Sequence, residues 1–220
     1  MATQRKPAEP RRLAPRLYLV ATLAGDPGGL AQDLAVALVA GDIAAVLLRL
    51  PEADERTLLT HIEALAPRVQ ESGAALLLDG RPDLVSRTGA DGAHLPGIEA
   101  FTTAVPTLKP DRIAGCGGIH SRHDAMLAAE TGADYVMFGE PDAAGHRPSF
   151  DAVVERVAWW AEVFEIPCVG YAGSLDEVGT LSAAGADFVA VGDCIFADAR
   201  GVAAAVRDAM TRLAVAEAVG

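Results

Sequence analysis

The sequence predicts an α/β chain folded as one closed (β/α)8 barrel, on three observations. From Arg16 onward, short apolar runs of strand length alternate with longer helical patterns eight times over. Several of those runs are continuously apolar rather than alternating, as strands are when both sheet faces are covered. The residues are 51% hydrophobic but only 5% aromatic, an aliphatic composition suited to parallel sheet wrapped in helices.

The apolar runs predict strands over 16–23, 44–49, 74–79, 92–95, 112–116, 134–138, 167–171 and 187–191. Helices are expected between and after them, over 28–40, 54–71, 82–88, 97–105, 121–131, 151–164, 174–184 and 200–217. Glu52, Asp54 and Glu55 open the second helix, where acidic groups favour the helix dipole. Trp159 and Trp160 fall in the sixth, with one expected in the core and one at its rim. Gly-Ala-Asp recurs at 89–91, 132–134 and 185–187, each time between a helix and a strand. The glycine suits the left-handed residue that ends a helix, so the repeat marks architecture. Strict alternation implies parallel strands, since each helix must carry the chain back. Eight units favour closure, with a doubly wound open sheet as the competing arrangement.

Residues 1–15 hold Arg5, Lys6, Arg11 and Arg12 among prolines and are expected to be a disordered basic tail, leaving 16–220 for the barrel. The run Leu17–Leu23 is too short for the core of a signal peptide, and no apolar run reaches the roughly 20 residues of a membrane span. A formal charge of −12 argues against nucleic acid as a partner. Cys116, Cys168 and Cys194 have no zinc-type spacing and cannot all pair, which fits a reducing, cytoplasmic setting.

In such a barrel the chemistry sits at the carboxyl ends of the strands. Those positions hold Arg49, Asp79, His94, Glu99, Cys116, His120, Glu140, Asp142, Tyr171 and Asp193. After the last two strands come Gly170-Tyr171-Ala172-Gly173-Ser174 and Gly192-Asp193-Cys194, turns whose amides suit a phosphate. Asp193 would bring a carboxylate close to that phosphate unless it caps the short helix that follows. Each position also has a plain structural alternative. Arg49 and Asp79 would serve in strand-end ion pairs, His94 as a satisfied core histidine, His120 in a helix cap beside Ser121, and the glycines in tight turns.

The chain resembles the thiamine phosphate synthase family and the related thiazole tautomerases. The motifs that carry the resemblance are Leu48-Arg49, Leu78-Asp79, Gly92-Ala93-His94-Leu95, Ile119-His120-Ser121, Gly132 to Val136 with Phe138-Gly139, and the two glycine turns. The family is a (β/α)8 TIM barrel. Its synthases are transferases that join hydroxymethylpyrimidine pyrophosphate to a thiazole phosphate, releasing pyrophosphate with Mg2+. The resemblance implies catalytic roles for Arg49 and His120. It implies phosphate contacts from His146, Arg147, Gly170, Tyr171, Gly173, Gly192 and Asp193, and Mg2+ ligands in Asp79 and Glu99.

The match is partial. The family's Lys two residues after Arg49 is Pro51 here, its Asn-Asp pair is Asp79-Gly80, and the Ser of its fifth-strand motif is Gly118. The loop that holds the pyrophosphate with Thr and Lys residues reads Gly139 to Arg147, with Glu140 and Asp142 added and only His146 or Arg147 to supply positive charge. A pyrophosphate leaving group carries about three negative charges that cations must neutralise. Synthase activity is therefore the first expectation, with tautomerase activity or a silent phosphate-binding paralogue as alternatives. A sugar-phosphate isomerase or epimerase is disfavoured, because Lys109 falls in a helix-to-strand loop. Small phosphorylated molecules are the expected partners, with no membrane, and a homo-oligomer is left open.

Overall fold

The computed structural model describes residues 14–142 and 144–219. Strands and helices alternate in the order β1 (Arg16–Thr22), α1 (Pro27–Ala40), β2 (Ile43–Arg49), α2 (Glu55–Glu71), β3 (Ala75–Asp79), α3 (Pro82–Thr88), β4 (Gly92–Pro96), α4 (Ile98–Leu108), β5 (Ile113–Gly117) and α5 (Arg122–Thr131). They continue with β6 (Tyr135–Phe138), α6 (Phe150–Val163), β7 (Cys168–Ala172), α7 (Leu175–Ala183), β8 (Phe188–Val191), α8 (Asp193–Phe196) and α9 (Val202–Val219). All strands are parallel, each pairs with the next, and β8 returns to β1. The barrel is closed, so the open sheet is set aside. Of the tail expected over 1–15, only Ala14 and Pro15 lie among the described residues.

Two buried layers follow from the alternation of side chains along each strand. Tyr18, Val20, Ala45, Leu47, Leu77, Tyr135, Met137, Val169, Tyr171 and Ala190 cluster inside the barrel. Their strand neighbours Leu17, Leu19, Val46, Leu48, Leu76, Leu78, Val136 and Val189 face outward and join the helix layer. Burying one such aliphatic side chain is worth about 1.5–3 kcal/mol, so this double layer carries most of the driving force. Trp160 is fully buried in the helix layer, and Trp159 packs against it partly exposed, the division the sequence predicts.

The repeated Gly-Ala-Asp closes each unit in the same way. Gly89, Gly132 and Gly185 take positive φ, which only glycine adopts without strain. The aspartate then binds the preceding strand. Asp91, Asp134 and Asp187 accept from the backbone N–H of Leu76, Ala114 and Cys168 at 2.7–2.8 Å. Their own N–H groups donate back to the carbonyls of the same three residues. One side chain thus fastens the start of β3, β5 or β7 to the strand beside it.

Two helix ends differ from expectation. The fourth helix runs past Pro106 to Leu108, although the residue before a proline disfavours helix. Ala104 and Leu108 are both buried, so the apolar face carries the helix two residues past the proline. The last helix, expected over 200–217, runs over Val202–Val219 as α9, starting just after Gly201, whose φ is 87°, and the short helix expected after β8 is α8. Asp193 does not cap α8: the cap is Gly192, without a side-chain hydrogen bond, and Asp193 is the first helical residue.

Candidate functional site at the barrel mouth

Strand parity decides what reaches the mouth. Arg49 follows Leu47 by two residues and Asp79 follows Leu77 by two, so both continue the inward face of their strands. They meet there: Arg49 Nε donates to Asp79 Oδ2 at 3.0 Å, with each side chain about a quarter exposed. Asp79 also lines a pocket with Leu50, Pro51, Glu52, Ala53 and Arg81. Cys116 has the opposite parity and is buried among the helices. Burial pushes its thiol pKa up to about 12, so it offers no thiolate nucleophile.

Beside the Arg49–Asp79 pair runs a chain of buried polar groups, with His94 in register with Asp79. His94 is 1% exposed, and both ring nitrogens are engaged. Nδ1 lies 2.9 Å from the Tyr135 hydroxyl, which lies 2.8 Å from that of Tyr18. Nε2 lies 3.1 Å from Glu140 Oε2. Glu140 is only 9% exposed on its side chain and also accepts from the Gly118 N–H. Burial works to lower the pKa of His94, but attraction to Glu140 and their hydrogen bond outweigh it, so the pKa is raised. Burial likewise works to raise that of Glu140, and His94 with the Gly118 amide holds it below the usual carboxylate range. Each partner thus favours the charged form of the other, and the Gly118 amide favours the carboxylate. Burial also raises the pKa of Tyr18 and Tyr135, which remain neutral hydroxyls.

This arrangement corrects the reading of the sixth loop. Glu140 turns inward, pairs with His94, and ties the loops after β5 and β6 together. Asp142 organises its own turn: Oδ1 accepts from the N–H groups of Ala144 and His146. His146 stands 83% exposed on its side chain. Arg147 is fixed instead of free. Nε donates to the Gly139 carbonyl and Nη2 to that of Tyr171, and the guanidinium lies 5.5 Å from the Tyr171 ring centroid. Its remaining partner is Glu177, in the first turn of α7.

The other expected residues are distributed around the rim. Gly173 stands directly under Arg147: a Cβ there would lie 1.9 Å from Nη1. Gly192 is less tightly enclosed, with Val20 O and the Tyr171 hydroxyl 3.2 and 3.3 Å from the position of a Cβ. Gly170 presents its open face to Leu181 of α7, which makes it a strand–helix packing residue. Asp193 is exposed. His120 is exposed just before Ser121, the α5 cap, and Arg156 of α6 donates to its carbonyl at 3.1 Å. Glu99 is exposed in the first turn of α4, lining a groove that also includes Gly80, the residue after Asp79. Among the described residues no group of three or more His, Cys, Asp or Glu is arranged to hold a metal ion.

Sequence reasoning missed two pairings, His94 with Glu140 and Arg147 with Glu177. The first partners are 46 residues apart and the second 30. Inward parity at His94 was the one available signal. Glu177 stands within a helix and gave none.

A family model described as thiamine monophosphate synthase matches residues 17–195. A thiamine-phosphate synthase of Rhodospirillum centenum is 42% identical over 88% of this chain and 95% of its own length. One from Hyphomonas neptunium is 35% identical over 91% and 94%. Among solved structures, a thiamine phosphate pyrophosphorylase from Pyrococcus furiosus superposes with a TM-score of 0.76 at 22% identity, covering 91% of this chain and 96% of that one.

Proposed function

The chain belongs to the thiamine monophosphate synthase family, and from that premise we propose that it joins hydroxymethylpyrimidine pyrophosphate to a thiazole phosphate. The observation that carries this reading is the family match from β1 to α8, together with the Arg49–Asp79 pair at the mouth. In the reaction the bond between the pyrimidine methylene carbon and the pyrophosphate oxygen breaks, and its electron pair leaves with pyrophosphate. The thiazole nitrogen supplies the pair for the new bond, so no strong base is required. What the protein must supply is positive charge where the leaving group develops negative charge, and close placement of the two substrates.

Arg49 serves that need. Its guanidinium is oriented by one oxygen of Asp79, and its other N–H groups are directed to the pyrophosphate. The turns at Gly173 and Gly192 close the mouth on the opposite side and receive the thiazole phosphate, with Tyr171, Arg147, His146 and Asp193 around them. His120 contacts substrate from the β5 loop and adjusts the rate without being essential.

The donors fit Mg2+ held largely by substrate. Arg49 engages Oδ2 of Asp79 and leaves Oδ1 to a further partner, while exposed Glu99 approaches the same β3 loop from α4. Such an ion commonly takes one or two protein carboxylates together with phosphate oxygens. Bound there, it would supply further positive charge to the pyrophosphate.

The purified protein, given both substrates and Mg2+, is expected to form thiamine phosphate. Arg49→Ala and Asp79→Ala should each lower kcat/KM by about a hundredfold or more, with the folded circular dichroism spectrum kept, and His120→Ala should retain coupling. If the wild-type protein forms no thiamine phosphate, the synthase reading fails.

A further inference from the structure

Arg147 and Gly173 lie in different loops, after β6 and β7, yet they converge on a single anion. That anion belongs to the chain itself. Glu177 Oε2 accepts from the Gly173 N–H at 2.7 Å and from Arg147 Nη2 at 3.1 Å, and Oε1 lies 3.4 Å from Nη1. Both side chains are about one-quarter to one-fifth exposed, so the group sits at the surface of the mouth within reach of a ligand. A planar carboxylate bound by a guanidinium edge and a backbone amide makes the same contacts as two oxygens of a phosphate.

Helix capping alone does not account for this contact. In a capping box, the acid at the third helical position takes the N–H of the cap residue itself. Here the cap is Ser174, whose side chain makes no capping hydrogen bond, and Glu177 reaches past it to Gly173 and across to another loop. Nor does Glu177 alone hold the cradle. Arg147 is fixed by the carbonyls of Gly139 and Tyr171 and lies over the Tyr171 ring, so the guanidinium keeps its place when the carboxylate leaves.

We infer that Glu177 is an internal occupant of an anion subsite formed by Arg147 and the Gly173 amide, and that a phosphate-bearing ligand binds at this corner by displacing it. This rests on the proposed placement of a substrate phosphate beside Gly173 and adds the residue that sets its affinity. The carboxylate covers the cationic corner when no ligand is present and weakens the hold on any phosphate that enters. Ligands without an anionic group gain nothing from the exchange.

The probe is inorganic phosphate, titrated by calorimetry into the wild-type protein, Glu177→Ala, Glu177→Gln and Glu177→Ala with Arg147→Gln. Removing the competing charge should tighten phosphate binding by about tenfold or more, and the gain should vanish in the double variant. Glu177→Gln keeps an oxygen for the Gly173 amide and drops only the charge, so it serves if Glu177→Ala does not fold. Equal or weaker phosphate binding in a folded Glu177 variant overturns the inference, as does a gain that survives loss of Arg147. Coupling activity is read separately. Tighter phosphate binding without any thiamine phosphate formation would sink the synthase reading and leave this inference standing. Coupling without the gain would do the reverse.

Discussion

Taking an imidazole and a carboxylate out of water is costly unless their polar atoms find partners, and the barrel interior holds such a pair at His94 and Glu140. What offsets that cost is further pairing on both sides: the Tyr135 hydroxyl meets Nδ1, and the Gly118 amide donates to the second carboxylate oxygen. Asp79 and Arg49 face the same imidazole with opposite effects on its pKa, Asp79 raising it and Arg49 lowering it. Because the His94 pKa is raised on folding, its contribution is complete below the unfolded value of about 6.5 and is lost as pH rises through the folded value. Glu140 runs the other way: its pKa is depressed, so its contribution is present above about 4.3 and is lost as pH falls through the folded value. The denaturation midpoint should therefore decline as pH rises above about 6.5, and in Glu140→Gln that decline should flatten, since the neutral amide no longer favours the imidazolium. A wild-type midpoint that stays level through this range would show that folding does not raise the His94 pKa.

At the scale of elements, the three Gly-Ala-Asp turns show what a local pattern can and cannot state. The sequence indicates a helix end followed by a strand, because glycine supplies the positive φ and the apolar run begins immediately after. It does not indicate that each aspartate reaches back to the preceding strand, a contact 15 to 20 residues away. Replacing Asp134 with Ala should strand the Ala114 amide at the start of β5 and release Lys109, which also binds that carboxylate. With the carboxylate partly exposed, the expected loss is about 1 kcal/mol, read as a lower denaturation midpoint with faster hydrogen exchange at Ala114. Unchanged exchange there would mean that the ladder alone protects the strand. The α4 boundary teaches a related point: Pro106 is a local signal to stop, and Leu108 is a tertiary reason to continue, visible only once the barrel face it covers exists.

At the scale of the whole molecule, the polar chain is accommodated by removing side chains from one strand. The inward positions of β5 after Ile113 are Gly115 and Gly117, flanked by β4 and β6. A Cβ on Gly115 would lie 2.0 Å from the Tyr135 ring, and one on Gly117 would lie 2.0 Å from Glu140 and 2.3 Å from His94. Read along the chain, Ile113-Ala114-Gly115-Cys116-Gly117-Gly118 looks like a weak strand running into a turn, and the glycines suggest nothing about tyrosine or histidine. Closure supplies the meaning, because it sets the large polar groups of β4 and β6 over the empty face of β5. The mouth residues were legible for the same reason in reverse: strand ends can be located from periodicity, whereas their partners depend on which strands become neighbours. Gly115→Ala should consequently destabilise the barrel by about 3 kcal/mol, the upper range for overpacking, since neither the Tyr135 ring nor the ladder can move away. Pairing it with Tyr135→Val should recover much of that loss, because the ring that clashes is gone and the two changes are not additive. Chemical denaturation of the two single variants and the double variant measures the coupling directly, and strictly additive effects would mean that the tyrosine does not fill the space that glycine leaves.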